Sequence, residues 1–300
     1  MVIFIPQGVC ITDKTDREDK KMTREICAGL ISEAVNAAVR AGAEIMKIYK
    51  QTADYDVCLK SDRSPVTAAD RAAHNCIRES LGATCIPVLS EEGREMLYDE
   101  RRNWDMFWLV DPLDGTVEFI KGNNEFTVNI ALIQDNLCVC SVIYVPCTGK
   151  LYIAEKGHGA YFIADIEPSS DADYSYDELV SRWSSLPLGD DGRTHTRIAV
   201  SRSHSTPETA EMIDDLCRRF PDAEIVEQGS SYKFCMLAEG SADYYVRTST
   251  TYEWDTAAGE LILCEAGGSM SSLDDGAALR YNKEDMRNPW FECRSPKCKI

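Results

Sequence analysis

Two carboxylates three residues apart close an apolar run at Trp108-Leu109-Val110-Asp111-Pro112-Leu113-Asp114-Gly115-Thr116. Pro112 fixes φ and removes a backbone donor, while Gly115 opens backbone shapes closed to other residues. Such a turn aims Asp111, Asp114 and the intervening carbonyl of Leu113 toward one point. Hard oxygen ligands of this kind suit Mg²⁺, which takes a few carboxylates, waters and substrate phosphate oxygens. The alternative is a strand-end turn whose acids face solvent.

Further acids accompany the pair. Glu91 and Glu92 follow another short apolar run, Ile86-Pro87-Val88-Leu89-Ser90. Asp255 opens a helical pattern in Glu253-Trp254-Asp255-Thr256-Ala257-Ala258-Gly259, and Asp70 stands three residues after Thr67. Aspartate is among the best N-cap residues, and Thr67 with Asp70 has capping-box spacing. On the residues alone, ligand and cap therefore stay open for both.

Composition narrows the partners. The 300 residues include 50 acids against 32 bases, a net charge of −18, which leaves no basic face for a nucleic acid polymer. Apolar residues make up 44%, enough for a sizeable core. No run approaches the roughly 18 apolar residues of a membrane span. Met1 to Gln7 lacks the charged region and cleavage site of a signal peptide. The 13 cysteines are scattered without a CxxC pair, as expected of free thiols in a reducing, cytoplasmic setting. Cys138 and Cys140, two apart in an apolar run, are expected on one strand face. An acidic chain repels phosphorylated substrates unless cations intervene.

The elements that must position these acids follow from periodicity. Residues 1–21 read as an extension. A helix with Thr23 as N-cap carries Ile26, Leu30, Ala34, Ala37, Ala41, Ile45 and Ile48 at three- and four-residue spacing. A second helix spans Thr67 to Leu81. Strands fit Met106–Val110, Phe126–Ile133, Cys138–Val145 and Leu151–Ala154, with Asp135-Asn136 as a hairpin turn, so an antiparallel sheet is expected. Residues 165–196, acidic and rich in Ser and Asp, read as a surface insertion. Strands at Arg197–Val200, Glu224–Glu227 and Ala242–Val246 then alternate with helices at Pro207–Phe220, Ser231–Ala238 and Thr256–Ala266. The chain thus divides into an α+β part over 22–164 and an α/β part over 197–300, joined in one compact unit. Trp104, Phe107, Trp108 and Trp254 are expected in the core.

The string Asp111-Pro112-Leu113-Asp114-Gly115-Thr116 resembles the metal motif of the lithium-sensitive phosphatases, the inositol monophosphatase superfamily. Ser64-Pro65-Val66-Thr67-Ala68-Ala69-Asp70, Leu89-Ser90-Glu91-Glu92 and Trp254-Asp255-Thr256-Ala257-Ala258-Gly259 resemble its companion motifs, in the same order. Four segments are similar to the bisphosphate-nucleotidase branch. They are 118–121 continuing through 125–133, Ser201-Arg202-Ser203-His204, Gly229-Ser230-Ser231-Tyr232-Lys233-Phe234-Cys235, and Ala238-Glu239-Gly240.

The resemblance implies an αβαβα layered sandwich and Mg²⁺-dependent removal of the 3′-phosphate from adenosine 3′,5′-bisphosphate. The corresponding phosphosulfate is a further implied substrate, and an inositol phosphatase is the alternative. It implies roughly two or three Mg²⁺ ions, held by Glu91, Asp111, the Leu113 carbonyl, Asp114 and Asp255. Asp70 and Thr116 would orient and deprotonate the attacking water, with Glu91 also catalytic. Gly115, Thr116, Ser201, His204, Gly229, Lys233, Arg247 and Asp255 would contact substrate. Gly229, Ser230 and Ser231 open a short helix whose amides are expected to receive a phosphate. Against these stand ordinary readings: a structural histidine at 204 and a solvated lysine at 233. Val117 stands where many relatives carry Lys or Arg. The expected assembly is a monomer or homodimer.

Overall fold

The computed structural model describes residues 3–5, 9–11, 24–51, 58–59, 65–189 and 192–298. Of the extension 1–21 this includes only the paired strands β1 (Ile3–Ile5) and β2 (Val9–Ile11); Thr23 and Ser64 lie outside the described residues.

The first helix, α1 (Arg24–Tyr49), buries Leu30, Ala34, Ala37, Ala41 and Ile45 of the predicted stripe and also Ile31, Val35, Ala38 and Val39 beside it, so its apolar face is wider than the spacing predicts; Ile48 is half-buried. Strands β3 (Cys58–Leu59) and β4 (Pro65–Val66) pair just ahead of α2 (Ala68–Gly82). Thr67 caps α2. Its hydroxyl accepts from the Ala69 and Asp70 amides at 3.1 and 3.4 Å, and Asp70 accepts from the Thr67 amide at 2.7 Å.

Seven strands form the larger sheet in chain order: β5 (Val88–Ser90), β6 (Met106–Asp114), β7 (Thr127–Gln134), β8 (Leu137–Val145), β9 (Lys150–Glu155), β10 (Gly159–Ile163) and β11 (Ser184–Ser185). β5 runs parallel to β6, and every later pair is antiparallel, as the short links require. Short helices α3 (Tyr98–Arg101), α4 (Thr116–Lys121) and α5 (Tyr176–Arg182) fall in its connections. Asp135 and Asn136 both have positive φ, 51° and 64°, the backbone of a two-residue hairpin turn. β6 continues beyond Val110, but its register with β7 breaks between Asp111 and Asp114, at Pro112.

Both faces of this sheet are buried. α1 and α2 cover one, packing against Trp108, Val110, Ile130 and Val142. Cys138 and Cys140 correct the sequence reading. Cys140 joins this α1 side, whereas Cys138 joins the opposite core. A bulge is the cause: Leu132 pairs with Cys140 but Ile133 pairs with Cys138, so one extra residue inverts the alternation. The eleven cysteines whose side chains are described are free thiols. Phe107 and Trp108 are fully buried, while Trp104 and Trp254 pack partly buried against the core.

The smaller sheet contains β12 (Arg197–Ser201), β13 (Glu224–Gln228), β14 (Tyr244–Arg247), β15 (Ser269–Ser272) and β16 (Phe291–Arg294), in spatial order 13-12-14-16-15. β12 is parallel to both its neighbours, while β16 is antiparallel to β14 and β15. α6 (Pro207–Arg219) buries Ile213 and Leu216 against Ile198, Tyr244 and Val246. Between the sheets lie α7 (Tyr232–Glu239) and α8 (Glu253–Glu265), sharing a core with residues of both. The layers run helix, sheet, helix, sheet, helix, as the resemblance implies.

Residues 165–189 are fastened to α1. Asn36 exchanges two hydrogen bonds with the Tyr174 backbone at 3.1 and 2.7 Å, and Arg40 donates twice to the Ala172 carbonyl at 2.9 and 2.6 Å. Ile166 and Leu179 enter the core, and Trp183 stacks on Tyr161 with centroids 3.9 Å apart.

Ile262, fully buried in the middle layer, gives a direct test of that layer. Ile262→Ala is expected to cost about 2–5 kcal/mol. In urea the midpoint falls while the slope stays constant; an unchanged midpoint would contradict the packing.

Candidate active site

A cavity of about 500 Å³ lies where the end of β6 meets the starts of α7 and α8 and the ends of β12 and β14. The carboxylates of Asp111, Asp114 and Asp255 bring oxygens within 4.8 Å of one another in it. Glu91, one residue past β5, lines the same cavity, close enough for its charge to act on Asp111. The structure therefore gathers around one cavity the four acids that the resemblance implies as metal ligands, from three separate parts of the chain.

Local bonds hold the three aspartates. The Leu113 amide donates to Asp111 Oδ1 at 3.1 Å across the turn. Gly115 has φ +95°, and a Cβ there would lie 2.8 Å from the Glu125 carbonyl, so only glycine fits. Asp114 Oδ2 accepts from the Ser231 amide at 2.5 Å, from the Ser231 hydroxyl, and from Asn129 Nδ2 at 3.4 Å. Ser231 Oγ also reaches the Asp255 carbonyl at 2.8 Å. Asp255 sits in the first turn of α8 and accepts from the Tyr252 amide at 2.7 Å.

Burial, and then the neighbouring acids Glu91, Asp114 and Asp255, raise the Asp111 pKa well above the carboxylate range. Asp255 is raised likewise, by burial first and then by Asp114 and Glu91. Four acids and the Leu113 carbonyl make an all-oxygen donor set whose charges repel one another. A hard divalent cation fits that set, and a chelated cation removes the repulsion.

On the flank of the cluster, Thr116 Oγ1 donates to Asp70 Oδ1 at 3.0 Å and also approaches the Leu113 carbonyl at 3.3 Å. Asp70 Oδ2 is occupied by the Thr67 amide and hydroxyl at 2.7 and 2.6 Å. Asp70 is thus both helix cap and partner of Thr116. Its two readings are compatible.

Ser201, His204, Gly229, Lys233 and Arg247 line the same cavity. Arg247 Nη1 donates to Ser201 Oγ at 2.6 Å. Partial enclosure, followed by the Arg247 charge, lowers the His204 pKa. Lys233 Nζ donates to the carbonyls of Gln228 and Ser230 at 3.0 and 2.6 Å; burial, then Arg247, lowers its pKa to about 8.

The amides at the start of α7 depart from expectation. The Ser231 amide is taken by Asp114, and the Gly229 amide donates to Glu125 Oε2 at 2.8 Å. They fasten the turn to the acids instead of waiting for a phosphate. Gly229 is held close: a Cβ would lie 2.4 Å from Glu118 Cγ. Arg202 completes the brace, donating to both Glu125 oxygens at 2.8 and 2.7 Å and to Glu227 Oε2 at 2.9 Å. Sequence reasoning quoted Asn129, Ser231, Glu125 and Arg202 without assigning them these bonds. Their partners are distant in the chain, and no local pattern marks them.

Carboxylates grouped this way beside a Thr–Asp pair and basic side chains define a metal-assisted phosphate-ester site. The model of the inositol monophosphatase family matches residues 28–293, and the chain belongs to that family. It is 37% identical over 265 residues to the 3′(2′),5′-bisphosphate nucleotidase CysQ of Escherichia coli strain K12, covering 87% of this chain and 98% of that protein. The crystal structure of CysQ from Bacteroides thetaiotaomicron superimposes with a TM-score of 0.82 at 45% identity, covering 90% of this chain and 98% of that one. SuhB from Bartonella henselae gives 0.69 at 26% identity, over 89% of this chain and 93% of that one. No helix among the described residues is long and apolar enough to cross a membrane.

Two outcomes test the cluster. Asp111 and Asp255, with folded pKa values above the ordinary 3.8, destabilise the metal-free fold increasingly as pH rises past that value. At pH 7.5, Mg²⁺ at about 100 times its Kd is expected to add about 2.7 kcal/mol. Thermal melts should show this gain in the native chain and not in Asp111→Asn. Separately, Ser231→Ala removes the hydroxyl bond to Asp114 while the amide at 231 keeps its own, and the Mg²⁺ concentration for half-maximal activity is expected to rise about 10-fold. An unshifted Mg²⁺ titration would deny Ser231 its positioning role.

Proposed function

We propose that this protein is a Mg²⁺-dependent 3′(2′),5′-bisphosphate nucleotidase that converts adenosine 3′,5′-bisphosphate to AMP and phosphate. The corresponding 5′-phosphosulfate, which carries the same 3′-phosphate, is a second substrate. One observation carries the reading: the acidic cluster, Thr116 with Asp70 hydrogen-bonded behind it, and the basic groups Lys233 and Arg247 come together at a single cavity. The similarity to CysQ enzymes along nearly their whole length supports the nucleotide as substrate.

Glu91, Asp111, Asp114, Asp255 and the Leu113 carbonyl would hold the metal. Bound Mg²⁺ supplies Lewis-acid activation and offsets the charge that develops on phosphoryl and leaving oxygens. The side chains do the rest. Thr116 Oγ1, placed by Asp70, accepts a hydrogen bond from the attacking water, and Asp70 Oδ1 receives the proton through it. Water adds to phosphorus as the bond to the ribose 3′-oxygen breaks, and that oxygen leaves with a proton from solvent. Arg247 and Ser201, already hydrogen-bonded, form with His204 and Lys233 the region that receives the second anionic group. An inositol monophosphate brings no such second group, so that substrate leaves these cations unmatched. The acidic exterior is reconciled with an anionic substrate in the same way. The carboxylates recruit cations, and the cations recruit phosphate.

Phosphate release with Mg²⁺ is the test. Adenosine 3′,5′-bisphosphate should be preferred over inositol 1-phosphate and fructose 1,6-bisphosphate; the reverse order overturns the substrate assignment. Asp70→Asn is expected to lower kcat about 10²- to 10⁴-fold with KM little changed. Native-like turnover in the folded variant would remove Asp70 from the proton path.

A further inference from the structure

The Asp255 carboxylate is held by a backbone amide, that of Tyr252, so its placement depends on how that stretch of main chain is fixed. The fixing comes from residues 282–288, which lie between β15 and β16 and follow the start of α8. The Asn282 amide, the Lys283 amide and Lys283 Nζ donate to the fully buried Glu253 carboxylate at 2.6, 2.9 and 2.7 Å. The Glu253 amide donates in turn to the Met286 carbonyl at 3.0 Å. Arg101 of α3 fastens the same stretch, donating to Asn282 Oδ1 at 2.8 Å and to the Glu284 carbonyl at 3.2 Å.

Asn288 grips the two peptide units that flank Tyr252. Its amide donates to the Thr251 carbonyl at 2.8 Å. The other end of that same peptide is the Tyr252 N–H, which donates to Asp255 Oδ2 at 2.7 Å. Asn288 Nδ2 donates to the Tyr252 carbonyl at 2.6 Å, and the far end of this second peptide is the Glu253 N–H bound to Met286. A peptide unit is planar, so a bond at its carbonyl end aims its N–H. Nδ2 also lies 3.0 Å from Thr256 Oγ1 and 3.2 Å from Thr251 Oγ1. One side chain thus ties together residues on both sides of Asp255. Thr251, Tyr252, Asp255 and Thr256 line the cavity, and Asn288 braces them from outside that lining.

The brace opposes a definite force. The charges of Asp114 and Glu91 repel the Asp255 carboxylate. A carboxylate that yielded to them would leave the group of three aspartate oxygens gathered within 4.8 Å. We infer that Asn288 is a positioning residue for Asp255, acting through the Tyr252 main chain to keep that carboxylate in the metal cluster. This rests on the reading of Asp255 as a Mg²⁺ ligand. Because Asn288 acts on the ligand and not on the substrate, its loss should weaken the ion and leave nucleotide binding alone.

Calorimetric titration with Mg²⁺ alone, without nucleotide, compares the native chain with Asn288→Ala, Asn288→Leu and Asp255→Asn. Leucine keeps the volume of asparagine and offers no donor. Both Asn288 variants are expected to raise the Mg²⁺ Kd about 10-fold, the lower end of the range for groups that orient a ligand. The Mg²⁺ concentration for half-maximal phosphate release should rise by the same factor, with the KM for adenosine 3′,5′-bisphosphate at saturating Mg²⁺ little changed. A native Kd in a folded Asn288 variant overturns the inference, even where the metal-free melting temperature falls, and leaves Asn288 a tie for stability alone. If Asn288→Ala does not fold, Asn288→Leu decides; loss of the fold in both also assigns Asn288 to stability and overturns the inference. An equal Mg²⁺ Kd in the native chain and Asp255→Asn is a different failure: it denies Asp255 the metal and removes the reading on which this one rests.

Discussion

The structure is organised around a repulsion. Asp111 is almost entirely removed from solvent, with Glu91, Asp114 and Asp255 beside it, and its pKa rises because negative charge has nowhere to go. Like charges in a low-dielectric setting cost several kcal/mol unless a cation intervenes. A flexible chain would relieve them by moving apart. Here the three aspartates are pinned: Asp111 by the Leu113 amide, Asp114 by Ser231, and Asp255 by the Tyr252 amide. The unfavourable arrangement is what makes the cluster receptive to a divalent ion.

Holding such a cluster requires elements that do not yield. β6 sits inside a seven-stranded sheet buried on both faces, so the end of the strand presents Asp111 on a rigid edge. α8 presents Asp255 from a helix pressed between two sheets. The Gln228–Ser231 turn, the least regular part of the wall, is tied down by Glu125, Lys233 and Asp114 together. Arg202 lies outside the acid cluster and steadies Glu125. The acids can repel one another because each layer opposes their movement.

What was legible in the sequence was local. Pro112 and Gly115 shape the acidic turn within six residues, and Asp135-Asn136 writes its own hairpin. Thr67 and Asp70 form a cap, and the cap places Asp70 against Thr116. What escaped depends on distant partners. The bond between Ser231 and Asp114 joins residues 117 apart, so the Ser231 amide looked free for a phosphate. The bulge that separates Cys138 from Cys140 is set by pairing with β7, and no residue in the run announces it. Residues 165–189 have the texture of surface, but the few apolar side chains among them, such as Ile166 and Leu179, are the ones that bury.

The 117-residue span between Asp114 and Ser231 also bears on how the chain is made. During synthesis the acidic turn emerges long before the serine and the helix that complete its surroundings. Closing so long a loop carries an entropic cost that is repaid only when both sheets have met across the middle layer. Until then Asp111 and Asp114 lack both the Ser231 brace and the Asp255 carboxylate beside them. A nascent or half-folded chain therefore holds no finished phosphatase centre. Completion of the acidic cluster waits on the meeting of the two sheets, however early its first residues are made.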